Sequence, residues 1–282
     1  MRKSTKILLI LSGILAALGI CLCVISVCMG MTFADLRRMV FEGEFTIYPF
    51  HWGDDDAASF EVDANDHGAY NKGSFDLSAD SLTHVVVDLE SASLDIKENP
   101  DDGQVSLELG SVDGDDFLWD YKEGRLVIYE EGDWTKSGRK ATLYLPKDIH
   151  LTAADLQTDA GALTSDVPFS CDSLTLDVDA GKIDVSRVKA RDVSMECDVG
   201  AIRFEGSVDR HGYADVDIGK IEIGLTEGQE SDYNYSIEND VGRVFVGDKN
   251  YDGLSVDERL DNGADKDWEL RCDVGYVALS FR

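Results

Sequence analysis

Aspartates at a fixed distance before a glycine are the residues of this chain whose number and spacing could do chemistry. The pattern Asp-x-Gly-x-aliphatic occurs six times in the second half of the sequence. Its aspartates are Asp159, Asp179, Asp198, Asp217, Asp240 and Asp273, and its glycines are Gly161, Gly181, Gly200, Gly219, Gly242 and Gly275. A row of neighbouring carboxylates could bind a hard cation, which prefers oxygen ligands. Alternatively, they could accept hydrogen bonds from N–H groups of a turn.

The second interpretation is favoured because the glycine-rich nonapeptides of calcium-binding repeat proteins do not occur in the sequence. We therefore predict a structural corner at each repeat, with no metal or cofactor site. His51 beside Asp54, Asp55 and Asp56 also has metal-ligand residue types, but a short acidic run is more typical of a solvated surface.

Catalytic residues are not indicated by any motif. The five histidines, His51, His67, His84, His150 and His211, are scattered, and only His211 lies within the regular repeats. Nucleophile-elbow, phosphate-loop, dinucleotide and zinc-protease signatures are absent from the sequence. An enzyme acting on polysaccharide is the alternative, and it would need two carboxylates at a defined separation, one with a raised pKa. The sequence favours a noncatalytic protein.

The cysteines do not form a disulfide framework. Three of six lie in an apolar N-terminal segment, and Cys171, Cys197 and Cys272 follow later. Cys197 and Cys272 share the position three residues before a motif glycine. Because three motif glycines separate them, we expect both to be buried and too far apart to bridge.

The elements that must position these residues are strands. Relative to each glycine, positions −5, −3 and −1 and then +2 and +4 are mostly apolar, with polar residues between them. This alternation predicts strands with one face in a core, and the change of parity predicts a bend. Glycine suits a bend because positive φ costs it little. The glycines are 20, 19, 19, 23 and 33 residues apart.

We therefore predict an all-β fold: a single-span N-terminal transmembrane helix followed by a β-solenoid, similar to a parallel β-helix, with coils of about 19–20 residues. The six corners are expected to stack in sequence order. Segment 89–96, with Ala92 at the glycine position, is read as a degenerate first coil, and the insertion 247–269 is read as a loop that leaves the stack.

The domain layout follows from composition. Residues 1–6 are a cytoplasmic tail, 7–30 a transmembrane helix, 31–75 a juxtamembrane linker and 76–282 the extracytoplasmic domain. Segment 7–30 has no charged residue and is long enough to cross a bilayer. Basic residues before it place the N-terminus in the cytoplasm. A cleaved signal peptide is the alternative, but the apolar stretch is long and the following residues make a poor cleavage site.

The formal net charge of −30 restricts the partners. Such a surface repels nucleic acid and anionic lipid headgroups, and it attracts cations or basic partners. It also keeps an extracytoplasmic domain in solution, which is the simpler interpretation. The open ends of a solenoid expose strand edges, so capping or end-to-end self-association is expected.

The stretch "ATLYLPKDIHLTAADLQTDAGALTSDV", followed by the repeated Asp-x-Gly phrases behind an apolar N-terminal segment, resembles the bacterial "putative adhesin" family of unknown function. The resemblance covers roughly residues 76–282, and Leu145, Pro146, Lys147 and Asp148 are its most specific part. It implies a membrane-anchored or exported β-solenoid and supplies no catalytic residues.

Together, these features predict a noncatalytic surface module for adhesion or for envelope sensing and scaffolding. It would be held in the cell membrane by a single span, with a cell-envelope protein or glycan as partner. The sequence does not identify that ligand.

Overall fold

Twenty β-strands joined into one sheet make up the described part of the chain, which in this computed structural model comprises residues 70–100, 103–110, 116–130 and 138–282. The strands are β1 Asn71–Lys72, β2 Phe75–Ser78, β3 His84–Leu89, β4 Ser93–Glu98, β5 Gln104–Leu109, β6 Phe117–Lys122, β7 Arg125–Glu130, β8 Lys140–Leu145, β9 Ile149–Thr158, β10 Ala162–Ser165, β11 Phe169–Val178, β12 Lys182–Cys197, β13 Ala201–Val216, β14 Lys220–Leu225, β15 Tyr233–Asn239, β16 Arg243–Val246, β17 Lys249–Asn250, β18 Val256–Leu260, β19 Lys266–Cys272 and β20 Tyr276–Phe281. One 3₁₀ turn, Glu230–Asp232, precedes β15. The predicted all-β class is confirmed, and the sheet is curled.

Each repeat contributes two arms, one before and one after its Asp-x-Gly corner. The first arms end at the corner and pair in parallel with the first arms of neighbouring repeats, so that Val178 lies beside Cys197, which lies beside Val216. The second arms begin after the corner and pair in the same way, as Ile183 does with Ile202 and Ile202 with Ile221. The long strands β12 and β13 each serve as the second arm of one repeat and the first arm of the next.

The spatial order of the repeats differs from the order in the sequence. Strand β13 pairs with β19, and β19 pairs with β15 on its other side. Likewise, β20 lies between β14 and β16. The repeat of Gly275 is therefore inserted between those of Gly219 and Gly242, and stacking in sequence order is wrong for the last two repeats. Because of this order two repeat spacings separate Cys197 from Cys272, rather than three.

The core lies between the two sets of arms and is filled from positions −5, −3, +2 and +4, all of which are buried in all six repeats. The prediction that position −1 also points inward is wrong. All six residues at that position are exposed: Ala160, Ala180, Val199, Ile218, Val241 and Val274. The parity of burial does change at the corner, but positions −2 and −1 both lie on the outside of the turn, and inward packing resumes at +2.

Antiparallel strands close both ends of the parallel array. At one end, the β6–β7 hairpin turns at Glu123 and Gly124, and β5 pairs with β8 and β2. Strand β1 pairs with β6, so the predicted linker 31–75 ends in strand structure. At the other end, β18 pairs with β15 and β17 with β16. The insertion 247–269 is therefore an edge cap and the start of β19, and not a loop that leaves the stack.

A buried ion pair stands where the line of corners ends beside β7. Arg139 Nε lies 3.0 Å from Glu130 Oε1, and both side chains are fully buried. The other oxygen of Glu130 accepts hydrogen bonds from the N–H groups of Ser91 and Ala92 at 2.8 and 2.9 Å. The bond from Ser91 takes the place of one that the neighbouring corner's carbonyl oxygen accepts elsewhere, and the bond from Ala92 takes the place of one that the residue at position −3 accepts.

The described residues contain no helix that is both long enough and apolar enough to cross a membrane. The predicted transmembrane helix 7–30 and tail 1–6 lie outside the described residues, as does the linker up to residue 69.

Candidate functional site

The corners are joined to one another by backbone hydrogen bonds. In the repeat of Gly200, the N–H groups of Asp198, Val199 and Ala201 donate to carbonyl oxygens of the preceding corner at 3.0, 2.8 and 3.1 Å. The same three bonds recur through the array, so the corners form a regular ladder along one edge. The order along this edge is Ala92, Gly161, Gly181, Gly200, Gly219, Gly275 and Gly242. Ala92 occupies the glycine position next to Gly161, as the sequence indicated.

Close approach of neighbouring corners explains the glycines. None of the six has the positive φ expected of a glycine at a bend. A Cβ on Gly200 would instead lie 2.2 Å from the carbonyl oxygen of Gly181, and one on Gly181 would lie 2.4 Å from that of Gly161. Each glycine therefore makes room for the backbone of the repeat beside it.

The residue at position −3 caps the corner from inside. The N–H of Gly161 donates to Thr158 Oγ1 at 2.8 Å. The thiols of Cys197 and Cys272 accept backbone hydrogen bonds from Gly200 and Gly275 in the same place. At these three corners, the glycine N–H is thus bonded to position −3 and not to the aspartate at −2. Burial raises the pKa of both thiols, and neither cysteine is in a disulfide.

The motif aspartates lie side by side outside the corners, and a second acidic row runs beside them at position −4. We call the two rows the acidic strip: Asp159, Asp179, Asp198, Asp217, Asp273 and Asp240 in one row, and Asp177, Glu196, Asp215 and Glu238 in the other. Arg271 occupies position −4 in the repeat of Gly275 and lies 3.7 Å from Glu238 and 2.5 Å from Glu269.

Like charges raise pKa values along the strip. Burial, together with the negative charges of Glu196, Asp179, Asp198 and Asp159, raises the pKa of Asp177 to about 7. The pKa values of Glu196, Asp198, Asp217 and Asp273 are raised by the same two causes, burial first. These carboxylates therefore lie close enough together that the charge on one disfavours the charge on the next.

The outer face of the second arms has a different electrostatic character. There, acidic and basic side chains alternate and pair within the sheet. The ion pairs are Lys182–Asp184 at 3.2 Å, Arg203–Glu205 at 3.3 Å, Lys220–Glu222 at 2.7 Å and Lys140–Asp95 at 2.8 Å. Among the described repeats, the outer face of the first arms is thus more acidic than the outer face of the second arms.

Exposed aliphatic side chains run between these two faces, along the crest of the corners. Within the part of the chain that the structure describes, five large hydrophobic residues are strongly exposed, and four of them lie on this line, at position −1 of their repeats. We call these four the aliphatic ridge: Val199 (60%), Ile218 (63%), Val274 (59%) and Val241 (60%). Backbone bonds connect the four corners in this order. The fifth residue, Leu254 (80%), lies in the turn before β18, where the N–H of its neighbour Ser255 donates to Asp240 O at 2.9 Å.

The ridge was missed from the sequence because position −1 was assigned to the core. A pattern in the sequence could have revealed it. The inward-facing positions change from odd (−5 and −3) to even (+2 and +4), and the adjacent residues −2 and −1 lie where this change occurs. Both residues of such a corner must face outward, whatever their hydrophobicity.

The other sequence candidates are separate from one another. His211 Nδ1 lies 2.5 Å from Asp267 Oδ2, His150 bonds Ser170, and His84 bonds Thr83. His51, His67 and Asp54–Asp56 lie outside the described residues. Within the described ranges, no group of three or more His, Cys, Asp or Glu side chains could hold a metal ion.

Comparisons with known proteins give a structural likeness and no sequence match. No protein-family model matches the chain, and no curated protein matches it. A "putative cell adhesion protein" from Clostridium sporogenes has a TM-score of 0.39 and 11% identity over 75% of this chain and all of that one. A "putative adhesin" from Parabacteroides distasonis has a TM-score of 0.38 and 12% identity over 75% of this chain and 98% of that one.

A third solved structure, a "putative lipid binding protein" from Parabacteroides distasonis, has a TM-score of 0.38 and 12% identity over 74% of this chain and 97% of that one. Two of the three names match the family that the sequence resembles. Similarities of this size say nothing about what the chain binds.

Proposed function

We propose that this protein is a noncatalytic surface module, held in the cell membrane by residues 7–30, whose β-solenoid ectodomain binds a cell-envelope partner in adhesion or in envelope sensing and scaffolding. The observation that carries the proposal is the aliphatic ridge beside the acidic strip. Burying aliphatic surface is favourable by about 25 cal/mol per Å², so aliphatic side chains that stay exposed forgo that free energy. A contiguous exposed set of them, rimmed by polar residues, is typical of an interaction surface.

The scaffold suits a binding role because its corners are fixed by backbone hydrogen bonds on both sides. Side chains on such a ladder are held at a constant spacing, so little order has to be imposed when a partner binds. The two outer faces differ in charge, which gives a partner a defined orientation across the ridge.

Position-specific crosslinking in cells tests this proposal. A photoreactive amino acid would replace Ile218 on the ridge or, as a control, Arg203 on the face of the second arms, both in the full-length chain. We expect a discrete crosslinked partner from position 218 and none from position 203. Equal capture at both positions, or none at 218, would contradict the proposal.

The proposed anchor needs a separate measurement. Mass spectrometry of the mature protein should find residues 1–30 still attached. A new N-terminus near residue 31 would show a cleaved signal peptide and would remove the anchor from the proposal.

A further inference from the structure

The aliphatic ridge has the repeat distance of a sheet. The N–H of each ridge residue donates to a carbonyl oxygen of the neighbouring corner at 2.8 Å, so successive ridge side chains are about 4.8 Å apart. Four residues in three steps give a row about 14 Å long. The row ends in small residues on one side, where Ala180 and Ala160 continue the line.

The two flanks of the ridge differ. On one flank lies the acidic strip, whose nearest members, Asp198, Asp217 and Asp273, are chain neighbours of ridge residues. On the other flank, at position +1, stand Lys182, Lys220, Tyr276 and Arg243. The ammonium groups of Lys182 and Lys220 are bonded to Asp184 and Glu222 on their own face. A ligand on the ridge therefore meets a row of carboxylates on one side and, on the other, two ion-paired lysines together with Tyr276 and Arg243.

From these features, we infer that the ridge binds a cationic amphipathic α-helix of a partner protein. The inference rests on the proposed function and names the chemistry of its partner. An α-helix advances 5.4 Å per turn and presents about one apolar residue per turn to a narrow contact, close to the spacing of the ridge. A row of about 14 Å matches about 10 helical residues. Lysine or arginine along one edge of that helix would face the acidic strip.

Three other occupants fit less well. An extended strand lying along the ridge places side chains of one face nearly 7 Å apart, which does not match. Anionic lipid is repelled by the strip, and a second copy of the chain brings another charge of −30. A cationic helix satisfies both the apolar row and the charge.

The binding test uses synthetic 14-residue peptides and the full-length chain in nonionic detergent. The probe has leucines on one helical face and lysines elsewhere. One control peptide has the same number of lysines with serine in place of leucine, and a second replaces every lysine by glutamate. We expect the leucine–lysine peptide to bind more tightly than the serine–lysine control and to become helical. The leucine–glutamate peptide should not bind.

Substitutions on the ridge separate this inference from general attraction to an acidic protein. The double change Ile218→Thr and Val274→Thr keeps β-branched side chains on the surface, so the fold is retained. It should lower the affinity for the leucine–lysine peptide about tenfold and leave the affinity for the serine–lysine peptide unchanged. The matched control, Val199→Ile with Val274→Ile, enlarges the apolar row and should hold or strengthen binding.

The charge on the flank is tested by Asp198→Asn with Asp217→Asn. Because burial and neighbouring carboxylates raise the pKa of both groups, this pair relieves repulsion within the strip, and we expect the variant to stay folded, as checked by circular dichroism. It should lower affinity for the leucine–lysine peptide and reduce the dependence of that affinity on salt. Equal affinity of the peptide for the parent chain and the ridge variant would overturn the inference. If cellular crosslinking from position 218 still captured a partner in that case, the proposed function would stand without it.

Discussion

At the scale of single residues, the corner glycines are set by a contact and not by a backbone angle. A carbonyl oxygen of the neighbouring repeat lies only 2.2 Å from the position that a Cβ on Gly200 would take. Any side chain there must push two corners apart, and the three hydrogen bonds between them lengthen together. Sequence position alone does not distinguish this requirement from a need for positive φ, since glycine satisfies both.

We predict that Gly200→Ala lowers the free energy of unfolding by about 1–3 kcal/mol or more, as expected for overpacking against a backbone atom. Gly224→Ala is the matched control because a Cβ there would lie no closer than 3.7 Å to any described atom. Urea denaturation followed by circular dichroism measures both variants. Equal stability of the two would show that the corners can separate at little cost.

Asp177 makes the folding stability of the chain depend on pH. Its carboxyl group is flanked on neighbouring strands by Gln157 and Glu196. Its pKa is raised from 3.8 to about 7. Between these values, the folded chain keeps a proton that the unfolded chain has lost. The contribution of Asp177 to stability is therefore greatest near pH 3.8 and is lost progressively as the pH rises to about 7. The whole loss is at most about 4 kcal/mol.

Accordingly, Asp177→Asn should raise stability at pH 8 and flatten the change in stability between pH 5 and pH 8. The control is Asp184→Asn, which removes a carboxylate from the other face, where Lys182 lies 3.2 Å away, and should bring no such gain. Denaturant unfolding at the two pH values measures the effect. A loss of stability at pH 8 in the Asp177 variant would mean that the strip is stabilised by something other than protonation.

At the scale of elements, the strands at the ends of the array have to prevent further pairing. Strand β18 covers one edge of β15 and carries Asp257, Glu258 and Arg259, all exposed. Charged residues on a terminal strand disfavour the addition of another strand. The insertion that lengthens the last repeat interval is therefore accounted for as an end cap.

The double change Asp257→Val with Arg259→Val should turn this cap into an exposed edge strand that pairs with other molecules. We expect association that increases with concentration, measured by sedimentation velocity. Arg203→Val with Glu205→Val adds similar apolar surface to β13, whose backbone is paired on both sides, and should associate less. Indistinguishable sedimentation of the two variants would argue against edge capping by β18.

At the scale of the whole molecule, the sequence revealed the local strand pattern but did not reveal the spatial order of the repeats. Alternation at −5, −3, +2 and +4 correctly predicted strands and core, because burial of one sheet face imposes a period of two. The outward direction of position −1 was missed since hydrophobicity was taken as a sign of burial. The insertion of the Gly275 repeat between those of Gly219 and Gly242 could not be read at all, because all six corners carry nearly the same phrase and match one another equally well.

The continuous ridge depends on that spatial order, because it brings Ile218, Val274 and Val241 into one row. Engineered disulfides test it directly. Lys220 is the register partner of Tyr276 and stands two strand spacings, about 10 Å, from Arg243. We predict that Lys220→Cys with Tyr276→Cys forms a disulfide on mild oxidation and that Lys220→Cys with Arg243→Cys does not, as read by mass spectrometry of the digested protein. A bridge in the second pair and none in the first would restore sequence order and contradict the continuous ridge.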